Sequence, residues 1–243
     1  MDETVSRSSM LYWWPRVENI EGIRKPKTIL IATDTLKCLE FLDGDGWPLD
    51  VEDLKSACER IGYPVFMRTD HCSGKHSWNE TCFVYDAEHL LPNLTRLIDG
   101  TCMADLPIDA IAIREYIPMK TLFCAFYGKM PVNPEIRLFA RDGRIECRHW
   151  YWIPDAIKKS GAPVIDIMGR EMTEDAWRFH LTQAQFVCET DDPGIDILTD
   201  EASRVASRFE GYWSMDFCLS AGGDWVLIDM AEGERSWHPE HKP

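Results

Sequence analysis

The spacing of apolar and polar residues changes several times along the chain, and each change marks an element. Residues 28–32 (TILIA) form a short apolar run, as a buried strand does, and Asp34 stands where it can cap a short helix over 35–42. Asp50 precedes VEDLKSACERIG, in which Val51, Leu54, Ala57, Cys58 and Ile61 recur at helical spacing and Gly62 is a suitable stop. Residues 63–68 (YPVFMR) predict a strand ending on a cation. The polar loop DHCSGKHSWNE follows, and 81–85 can return as the second strand of a hairpin.

Further on, 87–99 reads as helix and DAIAIREYIP as a strand ending at Pro118. Two alternating runs, 122–127 and 135–140, come next, and the turn Arg141-Asp142-Gly143-Arg144 links the second to a strand over 145–152. Helical stretches at about 173–188 and 199–210 precede a last hairpin, with strands 213–219 and 225–230 joined by Ser220-Ala221-Gly222-Gly223-Asp224. Strands paired in hairpins and mixed with helices predict an antiparallel α+β fold, not a doubly wound parallel sheet. No repeat or low-complexity tract interrupts this order, and 243 residues suit one large domain or two lobes.

Composition narrows the classes. Lys and Arg number 26 against 41 Asp and Glu, a formal charge of −15, which argues against a dedicated duplex-binding protein and leaves room only for a local basic groove. With 45% hydrophobic residues, 10 Trp and 10 Phe, the chain is no disordered acidic tail. It contains no apolar stretch long enough to span a bilayer, and its acidic start lacks the features of an export signal, so a cytoplasmic protein is expected. The cysteines, odd in number at 9 and without a CxxC pair, read as thiols in a reducing compartment. GxGxxG, a complete P-loop, HExxH and GxSxG are all absent from the sequence.

Three constellations could carry chemistry. In the last hairpin Asp216 lies between Met215 and Phe217, and Asp229 between Ile228 and Met230, so each carboxylate sits inside an apolar strand. Facing each other they would make a hard oxygen site for Mg²⁺; separately, each could be a strand-end acid met by an arginine or a backbone amide. The loop after Arg68 holds Ser73, Gly74, Lys75, His76 and Ser77, donor-rich and suited to phosphate, or simply solvated. Its His71, Cys72, His76 and Cys82 fit no paired-ligand zinc spacing. In the 135–152 hairpin Glu135, Arg137 and Phe139 share one face, as do Arg144, Glu146, Arg148 and Trp150 on the partner strand. Such guanidinium groups suit a triphosphate, or else form surface ion pairs.

The order of these pieces resembles the ATP-grasp superfamily from about residue 26 onward, and within it the clade named for two arginines and a lysine, known largely from phages and bacteria. The Arg137 strand and the paired aspartates are also similar to a eukaryotic ATP-grasp chaperone that assists assembly of a translation initiation factor. The resemblance implies two α+β lobes that clamp ATP, an N-terminal lobe over 26–115 and a C-terminal lobe over 116–243, after an extension of residues 1–25. The pre-ATP-grasp domain of larger ligases is not expected in so short an extension.

By that resemblance Arg68 replaces the usual strand-end lysine at the α- and β-phosphates, and Ser73-Gly74-Lys75 closes over the phosphates. Glu115, Tyr116 and Ile117 form the hinge that reads the adenine edge through the backbone. Arg137 reaches the triphosphate, with Arg148 beside it and Lys75 as its catalytic counterpart. Asp216 and Asp229 hold Mg²⁺. The usual carboxylate-x-Asn pattern fails at Ala231; the resembling clade has an acid one residue further on, before a glycine, and by that resemblance Glu232, before Gly233, is the third metal-ligand candidate. The implied activity is an ATP- and Mg²⁺-dependent ligase that activates a carboxylate as an acyl phosphate for an amine or other nucleophile, its substrates unnamed and open to a protein or peptide. The alternative is an ATP-binding assembly chaperone without turnover, using Trp13, Trp14, Trp150, Trp152 and Trp237 as a partner face if these are not packing residues. No membrane partner is expected, and the acidic charge disfavours nucleic acid.

Overall fold

Ser9 opens the first helix, α1 (Met10–Val17): its Oγ accepts from the Leu11 amide at 3.1 Å and donates to the buried Asp70 carboxylate. A computed structural model describes residues 5–189 and 193–239; the acids at 2 and 3 that entered the export argument lie outside the described residues. Two compact units form. One comprises the chain up to Tyr12 and Pro26–Ile117, the other Trp13–Lys25 and the chain from Pro118 onward. The residues before 26, read above as an extension, are therefore shared between the units.

The first unit continues through β1 (Thr28–Ala32), α2 (Thr35–Leu42), α3 (Val51–Ile61), β2 (Val65–Thr69), β3 (Phe83–Val84), α4 (Ala87–Met103) and β4 (Ala110–Glu115). Three helices start on aspartates that accept from first-turn amides: Asp34 from Lys37, Asp50 from Glu52 and Asp53, Asp86 from Glu88 and His89. The strands form an antiparallel sheet in the order β1-β4-β2-β3. Val65 and Met67 of β2 and Ile111 and Ile113 of β4 pack with Leu54, Ala57 and Cys58 of α3 and Leu90, Leu94, Leu97 and Ile98 of α4. Alternation then turns Phe66, Arg68, Ala112 and Arg114 to the opposite face.

The second unit holds β5 (Phe123–Ala125), β6 (Met130–Val132), β7 (Glu135–Arg141), β8 (Arg144–Trp150), α5 (Pro154–Lys159), α6 (Glu174–Glu189), α7 (Pro193–Ala206), β9 (Tyr212–Leu219) and β10 (Trp225–Glu232). β5 and β6 pair as a small hairpin, and the other strands form an antiparallel sheet in the order β10-β9-β7-β8. Ile136, Leu138, Met215, Phe217, Leu227 and Met230, all buried, make up the apolar face of that sheet.

The α+β class with antiparallel sheets agrees with the periodicity. Three elements have no counterpart in it. These are α1, α5 and β6, since α1 and α5 are short and β6 contains Pro131. The helix expected over 199–210 instead begins at Pro193, which suits a first-turn position, and ends at Ala206. Among the described residues no helix is long and apolar enough to cross a membrane.

Leu94 is fully buried between α4 and the sheet. Leu94→Ala should cost about 2–5 kcal/mol, read as a lower urea midpoint at an unchanged slope.

Candidate functional site

In the second unit the register builds one row across all four strands. His149 of β8 stands opposite Arg137 of β7, Arg137 opposite Asp216 of β9, and Asp216 opposite Asp229 of β10. Directly opposed residues share a face, so a cation, two carboxylates and an imidazole project from the same side of the sheet. Two bulges set this row. One lies between Phe139 and Ala140 against Ile145–Cys147, where Glu146 is the extra residue; the other between Leu227 and Asp229 makes Ile228 extra.

Arg137 meets Asp216 side-on: Nε donates to Oδ1 and Nη2 to Oδ2, both at 2.7 Å. The guanidinium also lies 4.8 Å from the centre of the Tyr151 ring, and its Nη1 donates to the Trp237 carbonyl at 3.4 Å. Burial works to lower the Arg137 pKa, yet the Asp216 charge and hydrogen bonds outweigh it and the value is raised, so this group stays cationic. Asp229 accepts from its own neighbour, the Met230 amide, at 3.0 Å.

The other acids and cations are placed differently. Arg148 stands opposite Leu138, on the face away from Arg137. Glu232 pairs in register with Trp213, three residues beyond Asp229 and so on the opposite face by alternation, and its carboxylate lies 3.5 Å from Arg235. Gly233 follows because a Cβ there would fall 2.2 Å from the Tyr212 ring. Among the described residues the groups of three or more His, Cys, Asp or Glu ligand atoms lying within 4.8 Å of one another are Cys147, His149, His238 and Asp70, His71, Asp109; neither includes Asp216, Asp229 or Glu232.

In the first unit Arg68 is buried on β2, its Nε donating to the Thr69 carbonyl at 3.0 Å. Arg114 of β4 is equally buried on the same face, with its Nε bonded to Thr28 Oγ1 at 3.2 Å. The sequence resemblance includes Arg114 only as the first residue of the stretch running into the hinge; its place in an apolar strand is the signal that marks it as a second buried cation. Ser73 and Gly74 lead into a 3-10 turn, Lys75–Glu80. Gly74 has φ +61°, and a Cβ there would come within 2.8 Å of Leu97, so the loop approaches α4 as only glycine permits. Its carbonyl accepts from Thr81 Oγ1 at 2.7 Å.

At the end of β4 the Glu115 amide donates to the Lys27 carbonyl at 2.8 Å, and the Lys27 amide donates to the Glu115 carboxylate at 3.2 Å. Tyr116 meets Phe83 edge-on at 4.8 Å, and burial, with Cys82 nearby, raises its phenol pKa. Ile117 is buried. Asp70 is a separate solution to carboxylate burial: one oxygen accepts from the Asp109 and Ala110 amides at 3.0 and 3.3 Å, and the other from Ser9. Of the tryptophans offered as a partner face, Trp13, Trp14, Trp150 and Trp152 are buried, and Trp237 is 45% exposed.

The family profile described as an ATP-grasp domain, family 3 of the clade named for two arginines and a lysine, matches residues 54–243. A search of curated proteins by sequence returns no match. Solved structures with similar folds include the ATP-grasp ligase PsnB complexed with the precursor peptide PsnA2 and AMPPNP, at 10% identity and a TM-score of 0.46 over 96% of this chain and 52% of that one. Another is D-alanine–D-alanine ligase from Bacillus anthracis complexed with ATP, at 13% identity and 0.45 over 96% and 58%. A third is N5-carboxyaminoimidazole ribonucleotide synthetase from Thermotoga maritima, at 12% and 0.44 over 93% and 41%. The chain spans about half the length of these structures.

Replacing Arg137 with Met leaves the Asp216 carboxylate buried without its cation, an expected loss of about 3–5 kcal/mol by urea denaturation. Adding Asp216→Asn to that variant should recover part of the loss; a strictly additive double variant would show that the pair is not coupled.

Proposed function

Because this chain belongs to the ATP-grasp domains of the two-arginine, one-lysine clade, we propose that it is an ATP- and Mg²⁺-dependent ligase that activates a carboxylate as an acyl phosphate for attack by an amine or another nucleophile. The observation that carries this reading is the cross-strand row in which Arg137, Asp216 and Asp229 occupy one face of a single sheet.

The donor set suits Mg²⁺. This ion takes oxygen ligands and is commonly bound through one or two carboxylates together with substrate phosphates, and Asp216 and Asp229 are directly opposed carboxylates on adjacent strands. When bound, the ion supplies charge neutralisation at the phosphate oxygens. Asp216 also orients Arg137, taking two of the five guanidinium donors; a third goes to the Trp237 carbonyl, and the remaining two are the ones offered to phosphate. A cation held in advance stabilises charge on the transferring phosphoryl group without reorganising.

In the other unit Arg68 supplies a buried cation for the α- and β-phosphates, and Ser73, Gly74 and Lys75 cover the transferring group. Backbone groups of Glu115 to Ile117 read the adenine edge, with Tyr116 between them. Glu232 and Arg148 take secondary roles, since their register puts each on the opposite face from Asp229 and Arg137 respectively. The lobes drawn at 26–115 and 116–243 stand for the two compact units, which change over after Ile117, with Trp13–Lys25 going to the second. The carboxylate belongs to a small molecule or a peptide, and no protein nucleophile is needed. The alternative, an ATP-binding assembly chaperone without turnover, finds less support, because four of the five tryptophans that would form its partner face are buried.

The test is ADP formation from ATP and Mg²⁺ in mixtures of carboxylates and amines. Asp229→Asn should lower kcat/KM at least about a hundredfold with an unchanged melting temperature, and Arg68→Ala should weaken nucleotide binding by about 1.5–3 kcal/mol. Full turnover in the first variant removes Asp229 from the metal site. ATP binding without ADP release under every condition removes the ligase reading.

A further inference from the structure

Cys147 and His149 lie two residues apart on β8 and therefore project from one face of the sheet. His238, only 5% exposed, reaches the same point from beyond the 3-10 turn Gly233–Arg235. Its Nε2 is 3.1 Å from Cys147 Sγ and 3.2 Å from His149 Nε2, and the three ligand atoms all lie within 4.8 Å of one another. The two imidazoles meet edge-on, with ring centres 4.5 Å apart at 71°, and Phe139 walls the cluster 4.5 Å from the His238 ring.

Hydrogen bonding alone accounts poorly for this convergence. Nε2 of a neutral imidazole either donates one proton or accepts through one in-plane lone pair, yet a sulfur and a second ring nitrogen both approach it. A divalent ion satisfies all three at once. With metal–nitrogen lengths of about 2.0–2.1 Å and metal–sulfur of about 2.3 Å, a tetrahedral ion holds its ligand atoms roughly 3.3–3.6 Å apart. The two separations to His238 Nε2, 3.1 and 3.2 Å, are shorter than this by roughly 0.1–0.5 Å, so a small outward movement of that ring opens the centre. Thiolate and imidazole are borderline to soft ligands, unlike the carboxylates of the Mg²⁺ proposal, and they select zinc over magnesium.

We propose that Cys147, His149 and His238 form a binding site for Zn²⁺, with a fourth position open to water. Binding converts the Cys147 thiol to a thiolate and releases its proton to solvent. The site is independent of the ligase reading, because it uses none of the residues assigned to nucleotide or Mg²⁺. Its effect falls on the chain after the last strand. The ion ties residue 238 to β8, and the adjacent Trp237 carbonyl is the one that accepts from Arg137. Zinc thereby fixes the carbonyl that takes one of the Arg137 donors.

The test uses the full chain, stripped with a chelator and titrated with Co²⁺ as a spectroscopic substitute. About one equivalent should bind with tetrahedral ligand-field bands and a thiolate-to-cobalt charge-transfer band, and Zn²⁺, but not millimolar Mg²⁺, should displace it. Cys147→Ser should remove the charge-transfer band, and His238→Gln and His149→Gln should each weaken binding more than about tenfold, with circular dichroism spectra unchanged. No charge-transfer band in the unaltered chain overturns the site. So does a band that persists in Cys147→Ser, which would place the metal on other cysteines.

Discussion

The carboxylate of Asp216 is nearly withdrawn from water in the middle of a sheet, and Arg137 meets both of its oxygens at 2.7 Å. A charge in such a position costs several kcal/mol unless a partner is held in the right geometry. The pair therefore constrains everything around it. β7 and β9 must align so that residue 137 faces 216, because a slip of one residue would turn Asp216 to the apolar side, beside Ile136 or Leu138, and Met215 out of it. The first unit solves the same problem differently, surrounding the Asp70 carboxylate with two amides and a hydroxyl and so joining the end of β2 to the start of β4 and to Ser9.

Much of this architecture is legible in the residue pattern. Asp34, Asp50 and Asp86 cap helices where a short polar residue precedes a helical period. The Asp142-Gly143 and Gly222-Gly223 turns mark two hairpins that prove to be adjacent parts of one sheet. Asp216 and Asp229 stand out because an acid within an apolar strand must be partnered. β6 escapes notice because three residues with a central proline carry almost no periodicity.

The pairings across long separations are another matter. Cys147 and His238 are 91 residues apart, and neither is part of a recognisable ligand spacing. Local sequence shows only a cysteine and a histidine on the same side of one strand; that a histidine from the end of the chain joins them depends on how the segment after β10 turns at Gly233. Arg148 shows how a bulge hides a register from the sequence. Counting back from the Arg141–Arg144 turn pairs Arg148 with Arg137, and only the bulge at Glu146 replaces it there with His149.

That bulge and its counterpart at Ile228 have a wider consequence. Each acts as a parity switch: one additional residue exchanges the two faces of the strand beyond it, bringing His149 in one case and Asp229 in the other into line with the central ion pair. The row is thus encoded in the number of residues in β8 and β10 as well as in their identities. A relative that kept Arg137, Asp216, Asp229 and His149 but lacked either extra residue would retain all four letters and present them on opposite sides of its sheet.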